Sequence, residues 1–441
     1  MERTETTSRT LSVFCVALLV FWVVVPELRR LLDWRFGFHA SQALVLVPLL
    51  SMGVFAFATT FRGTLDVSRK MLVLAWIWLG AFGYAFAVGW LVGRGNSAVY
   101  DFLQFFAPMF IALWLARGDE SPSRAFTRLS TVILVIAVGV SAYGLWQFVA
   151  LPPWDAYWMQ QVVSVMHMAS IGKAQPFEVR VFSVLNSPEP CGAFLALAVA
   201  LNLYRLTEKR ILPLAALLLC VIALALTLVR SAWIGLFVAI VVYAIFSARP
   251  GRAVTAILAC AALVVGFFAF ASPWIAEQAG RDIIGQRVQT FANLQNDSSA
   301  QQRSATTEEL VSAAIAYPIG EGLGMMGTAT QLSSLTQATN AIGGDGGLQA
   351  RLVEMGFTGF VGYVAAVLLA FAFVLQRWWE ARRSGDHRES EIMSVLLAVQ
   401  ASLIVLDLSV DSHVNLTGAL FWLTVGIALS PGAVPATRVP A

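Results

Sequence analysis

Charge is what this chain lacks most. Only 12% of its 441 residues are Asp, Glu, Lys or Arg, against roughly 25% in a soluble domain. The formal net charge of +3 is too small to draw the chain onto nucleic acid. Cysteine is scarce as well: Cys15, Cys191, Cys220 and Cys260 show no CxxC spacing. Three of them, Cys15, Cys220 and Cys260, sit inside apolar runs, so neither a disulfide framework nor a zinc motif is indicated. There is no Asp-x-Asp pair and no His/Cys cluster, which predicts a protein without a metal or cofactor. Internal repeats and low-complexity tails are also missing.

What the chain has instead is apolar sequence in long blocks. Hydrophobic residues make up 58% of it, and the mean hydropathy is +0.73. Runs of helix-spanning length begin near Leu11, Ala43, Met71, Phe102, Leu129, Gly192, Ile211, Ala232, Ala253, Val353, Ile392 and Leu416. About 20 residues cross the hydrocarbon core. A backbone in lipid must satisfy its own hydrogen bonds, so these runs are expected to be helices. The fold expected is an all-α polytopic membrane protein of about twelve transmembrane helices, a single membrane domain over 1–441. The first run lacks a small-x-small exit and more spans follow it, so it is read as a retained span rather than a cleaved signal.

Alternate loops are short and basic. They hold Arg3 and Arg9; Arg62, Arg69 and Lys70; Arg117, Arg124 and Arg128; Arg205, Lys209 and Arg210; Arg249 and Arg252; Arg377, Arg382, Arg383 and Arg388; and Arg438. By the positive-inside rule these loops and both termini are cytoplasmic. Arg29, Arg30 and Arg35 in the first outer loop are the one local violation. Two outer loops exceed the length of a connector. The first, 151–190, carries Trp154, Tyr157 and Trp158, and its 155–169 stretch reads as an amphipathic helix in the membrane interface. The second, 277–352, lies between spans nine and ten. It opens a short helix at Thr306-Thr307-Glu308-Glu309, closes it at Pro318, and continues through Gly320, Gly322 and Gly324 to Gly343-Gly344-Asp345-Gly346-Gly347.

The charges at this outer side are the functional candidates. Arg180 precedes the Asn186-Ser187-Pro188 turn, Arg230 lies in the tight turn between spans seven and eight, and Arg303 precedes the short helix. An arginine near a bilayer is costly unless it is paired or faces water, and three on one side suit a phosphate-bearing ligand, which guanidinium grips at two points. The plainer reading is that each pairs with a nearby carboxylate or reaches lipid headgroups. Asp345, among glycines, suits a general base or a helix N-cap. Gly320, Gly322 and Gly324 suit an anion cradle or a plain turn. Asp411 and His413, with the deeper Asp407, either cap a helix end or line the same outer cavity.

These motifs, in order, resemble a known family. An arginine stands before a Ser/Asn-Pro turn, then Thr-x-x-Arg-Ser-Ala-Trp-x-Gly from Thr227 to Gly235. A large outer loop follows with Pro-Ile-Gly-x-Gly-x-Gly from Pro318, and Leu-x-x-x-Leu-x-Glu-x-Gly-Phe-x-Gly enters a span from Leu348. From about Arg180 to Gly362 the chain resembles the O-antigen ligase and Wzy-type polysaccharide polymerase superfamily. The resemblance implies a metal-independent membrane glycosyltransferase in the bacterial inner membrane, working at the periplasmic face on an undecaprenyl-diphosphate-linked glycan. Its acceptor would be a second lipid-linked glycan in a polymerase or lipid A–core in a ligase, with a chain-length regulator as a further partner. It implies Arg230, Arg303 and Asp345 as catalytic residues. Arg180 would then hold a second phosphate or the acceptor, with Gly320, Gly322, Gly324, Asp411 and His413 as substrate contacts. Where ligases carry a histidine before the tenth span, this chain has Gly344-Asp345-Gly346-Gly347, an Asp-x-Gly more like the polymerases.

Other classes compete. A secondary transporter also fits twelve spans with both ends inside, but its charges would lie near the midplane and its halves would repeat. A non-catalytic membrane partner in envelope assembly would not need three outer arginines.

Overall fold

A computed structural model describes residues 2–39, 43–61, 67–117, 121–166, 171–207, 211–247, 250–266, 314–327 and 346–431, with isolated positions between 269 and 312. The helices are α1 (Glu2–Phe36), α2 (Val47–Phe61), α3 (Arg69–Leu91), α4 (Gly95–Phe106), α5 (Met109–Leu115), α6 (Pro122–Ala150), α7 (Pro153–Met166) and α8 (Pro188–Leu201). They continue as α9 (Ile211–Leu226), α10 (Arg230–Phe246), α11 (Pro250–Gly266), α12 (Gly347–Arg383), α13 (His387–Leu406) and α14 (Asn415–Leu429). Each apolar run begins inside a helix, or at Ala43 in the 3-10 turn that leads into α2. Among the described residues, five segments are long and apolar enough to cross a membrane: Arg69–Leu91, Gly95–Leu115, Pro122–Ala150, Gly347–Arg383 and His387–Leu406. The second of these is interrupted between α4 and α5 at Pro108, which has no N–H to continue the ladder.

Side-chain and backbone contacts sort the helix ends into two sets. At one end Lys70 donates to Gln376 at 2.9 Å, Arg205 donates to Thr131 at 2.6 Å, and Trp378 donates to the Phe246 carbonyl at 2.9 Å. Lys70 and Arg205 of the basic loops reach neighbouring helices here. At the opposite end the amide of Val181 donates to Leu226 O at 3.1 Å, Leu323 to Ala85 O at 2.9 Å and Leu348 to Asp407 O at 2.9 Å. The helix packing is consistent with this alternation: α10 lies along α13, and α12 lies along α3 and α13.

The arginine violation in the first outer loop has a tertiary explanation. With 35 residues, α1 is longer than a crossing needs, and Arg29 and Arg30 lie in its last turns. Arg29 pairs with Asp33 at 3.4 Å and lies over the Trp158 ring at 4.9 Å. Arg30 is fully buried and pairs with Asp155 of α7 at 2.8 Å. Their charges are neutralised inside the protein, so they do not act as topology signals. The 153–166 helix is present, but its Asp155 and Trp158 are buried, so this face packs on α1.

Candidate functional site

Arg180 sits on a loop over 171–187, closed by an antiparallel bridge between Gly172 and Val179 and by Arg180 N–H donating to Ile171 O at 3.0 Å. The loop is laid against the turn between α9 and α10. Arg180 Nε donates to Thr227 O at 3.1 Å, and its Nη2 meets Glu189 Oε1 at 3.5 Å. Three residues after Thr227, Arg230 opens α10. Between them Leu228 has φ +55°, a conformation that costs a non-glycine residue energy and persists only where its surroundings hold it. The structure therefore brings Arg180 and Arg230 onto one turn. An arginine in the first turn of a helix runs against the helix dipole.

The glycine-rich segment forms a strap. In α12 the backbone breaks at Gly356, φ +55° and ψ −170°, where an unbroken helix would use the Val353 and Glu354 carbonyls. These take the amides of Glu321 and Gly322 instead, each at 2.9 Å, while Phe357 N–H turns to Pro318 O at 3.1 Å. A broken helix can stay at membrane depth when such partners satisfy its backbone. Gly324 N–H donates to Asp101 Oδ2 at 3.0 Å, Met326 N–H to Glu354 Oε1 at 3.1 Å, and Gly320 N–H to Tyr317 O at 2.8 Å. The amides of Gly320, Gly322 and Gly324 are thus engaged within the protein, where they dock the strap. Arg94 adds a side-chain clamp to Glu321 at 3.0 Å.

Below the strap lies a charged cluster that the motif reading did not assemble. Arg351 is 2% exposed. It pairs with Glu354 at 2.7 Å and Asp411 at 3.1 Å, and covers the Phe105 ring at 4.3 Å. Asp101 of α4 lies beside the cluster, within electrostatic reach of Arg351 and Asp411. Asp101 interrupts an apolar run, and Arg351 and Glu354 are three apart at the start of another. A charge inside a span was a signal available from sequence; the pairing of α4 with α12 was not. Replacing Arg351 with methionine leaves Glu354 and Asp411 without their cation. It is expected to destabilise the protein by about 3–5 kcal/mol, seen as a lowered thermal unfolding midpoint, with partial recovery on adding Glu354→Gln.

Asp407 closes α13 as its C-cap, and its carboxylate takes Tyr363 OH at 2.6 Å and Ser412 OH at 2.9 Å. His413 Nδ1 lies 3.2 Å from Asp407 Oδ1, and its ring packs 4.7 Å from Phe421. His413 is 1% exposed, so it holds the α13–α14 loop from within. Asp411, whose side chain is 33% exposed, is the member of this group that reaches the surface. Gly346 occupies the N-cap of α12. Arg303 and Asp345 lie outside the described residues.

Residues 215–350 match the family described as O-antigen ligase. Over that stretch the chain is similar to the O-antigen ligase family. This similarity supports the O-antigen ligase and Wzy-type superfamily, and the five apolar helices among the described residues fit a multi-pass membrane protein. No curated protein matches the chain. The matched stretch takes in Arg230, Arg303, the strap glycines and Asp345. Arg180, Asp101, Arg351, Glu354 and the 407–413 loop lie beyond its limits, yet the structure packs the described ones at the same end of the bundle.

Proposed function

We propose that this protein is a glycosyltransferase that polymerises undecaprenyl-diphosphate-linked oligosaccharide repeats at the periplasmic face of the bacterial inner membrane. The observation that carries this reading is the pairing of Arg180 with the Thr227–Arg230 turn, inside or beside the stretch similar to the O-antigen ligase family. In this scheme the two guanidinium groups, with Arg303, hold the donor's diphosphate. As the bond between the anomeric carbon and the phosphate oxygen breaks, the departing diphosphate takes the electron pair. Fixed cations in a partly dry site stabilise that growing charge. The acceptor hydroxyl oxygen forms the new bond to the anomeric carbon and gives its proton to a carboxylate, assigned to Asp345. Asp411, oriented by Arg351, contacts the acceptor. The arginines supply the charge neutralisation, so no metal enters the scheme.

The similarity of residues 215–350 to the O-antigen ligase family favours a second reading, in which the same donor and arginines serve transfer of finished glycan to lipid A–core. Deleting the gene and resolving lipopolysaccharide and secreted polymer on a gel separates the two. Collapse to single repeats still attached to the acceptor supports polymerisation. Long chains that no longer reach lipid A–core support ligation and overturn polymerisation. No change in either overturns both and directs attention to substrate uptake.

A further inference from the structure

The end of the bundle that carries Arg180 also holds a buried polar network with no part in the scheme above. Arg30 Nη1 meets Asp155 Oδ1 at 2.8 Å, Arg30 Nη2 donates to Ser183 O at 2.6 Å, and Arg30 also pairs with Glu27. Gln147 of α6 donates to Asp155 Oδ2 at 2.7 Å. Its Oε1 accepts the amides of Phe182 at 3.1 Å and Ser183 at 2.8 Å. Tyr143 OH donates to Asp155 Oδ2 at 3.0 Å, and Trp154 Nε1 to Glu27 Oε1 at 2.7 Å. Arg30, Gln147, Asp155 and Ser183 are all fully buried. Burial pushes the Asp155 carboxyl up to about 6, with Arg30 pulling it back.

Burying charge in this way is a poor route to stability. An apolar core of the same volume is often equally stable. What the network does provide is geometry. Every polar backbone group at the 182–183 corner that it touches ends on Gln147 or Arg30. The corner needs holding, because Ser183 has φ +53° and such a backbone persists only when its partners fix it. Ser183 OH adds a third tie, to Val140 O at 2.6 Å. One residue back, Val181 N–H joins Leu226 O at 3.1 Å, and the next residue is Arg180 on Thr227.

We propose that Arg30, Gln147 and Asp155 are positioning residues for the diphosphate site: they lock the Ser183 corner and so hold Arg180 against the Thr227–Arg230 turn. This rests on the phosphate-binding reading of Arg180 and names what fixes it. It places α1, α6 and α7, which lie outside the O-antigen ligase match, in the service of the same site.

The test is a double-mutant comparison on the full-length protein in detergent, with farnesyl diphosphate as the probe. Gln147→Leu removes the corner's acceptor. Arg30→Lys keeps the charge and loses the fork, and it serves if the first variant does not fold. Each is expected to weaken probe binding about fivefold or more in the wild-type background and to add little in an Arg180→Ala background, because residues acting as one unit are not additive. Unaltered probe binding in the single variants, or equal weakening in both backgrounds, overturns the positioning role while leaving the phosphate reading standing. If Arg180→Ala itself binds the probe like wild type, the phosphate reading falls and takes this inference with it.

Discussion

Replacing Arg230 with alanine should lower glycan transfer by roughly 10²-fold or more, the cost of removing a preorganised charge from a transition state, while leaving the protein inserted and folded. Arg230 opens α10 and is half-buried at that position, so its truncation creates no large cavity. In the proposed scheme it contributes positive charge to the diphosphate beside Arg180, which donates to the Thr227 carbonyl. Arg180→Ala should act in the same direction. Arg230→Lys should restore only part of the rate, because an ammonium returns the charge without the planar fork that grips two phosphate oxygens. The measurement is consumption of a lipid-linked repeat by purified protein, with chain length read on a gel. Near-normal output from folded Arg230→Ala protein would falsify the assignment of the arginines to the diphosphate.

Much of this architecture could be read from the chain, and what could not follows a physical pattern. The lengths of the apolar runs gave the helices because lipid leaves the backbone few alternatives. Arg30 misled the charge-alternation reading, because the carboxylate that neutralises it, Asp155, comes from a helix more than a hundred residues later. The motif order put Arg180 and Arg230 on one outer side, and it gave no sign that Arg180 would reach the Thr227 carbonyl. It could not show that Pro-Ile-Gly-x-Gly-x-Gly and Leu-x-x-x-Leu-x-Glu-x-Gly dock on each other, since Gly356 in an apolar run reads as tolerated helix until the strap that breaks it is in place. The three glycines suggested an anion cradle for the same reason. Their left-handed backbones are real, but what approaches them is the protein's own α3, α4 and α12.

That close approach sets the second large effect. Gly322→Ala is expected to prevent the strap from docking and to cost several kcal/mol, to the point of losing monodisperse folded protein. A Cβ at Gly322 would lie 2.1 Å from the Gly89 nitrogen and 2.3 Å from its Cα. These are backbone atoms of α3 and cannot rotate away as a side chain would. The residue also has φ +83°, which alanine adopts at a cost of about 1–2 kcal/mol. If the strap lifts, Val353 and Glu354 lose the amides that satisfy their carbonyls at the Gly356 break, at about 1–3 kcal/mol for each buried group left unpaired. Gly327 provides the control: its φ is also positive, +68°, but a Cβ there meets nothing within 4 Å. Gly327→Ala should therefore cost only the backbone strain and leave the protein folded. Thermal unfolding and size-exclusion chromatography of the two variants separate the contributions. A large gap between them places the cost in the contact with α3, and equal, mild effects would mean that the strap is not held against α3 as described. A Gly322→Ala protein that stays folded but no longer transfers glycan would show that the docked strap, beyond supporting α12, sets the geometry of the reacting groups on the loop it belongs to.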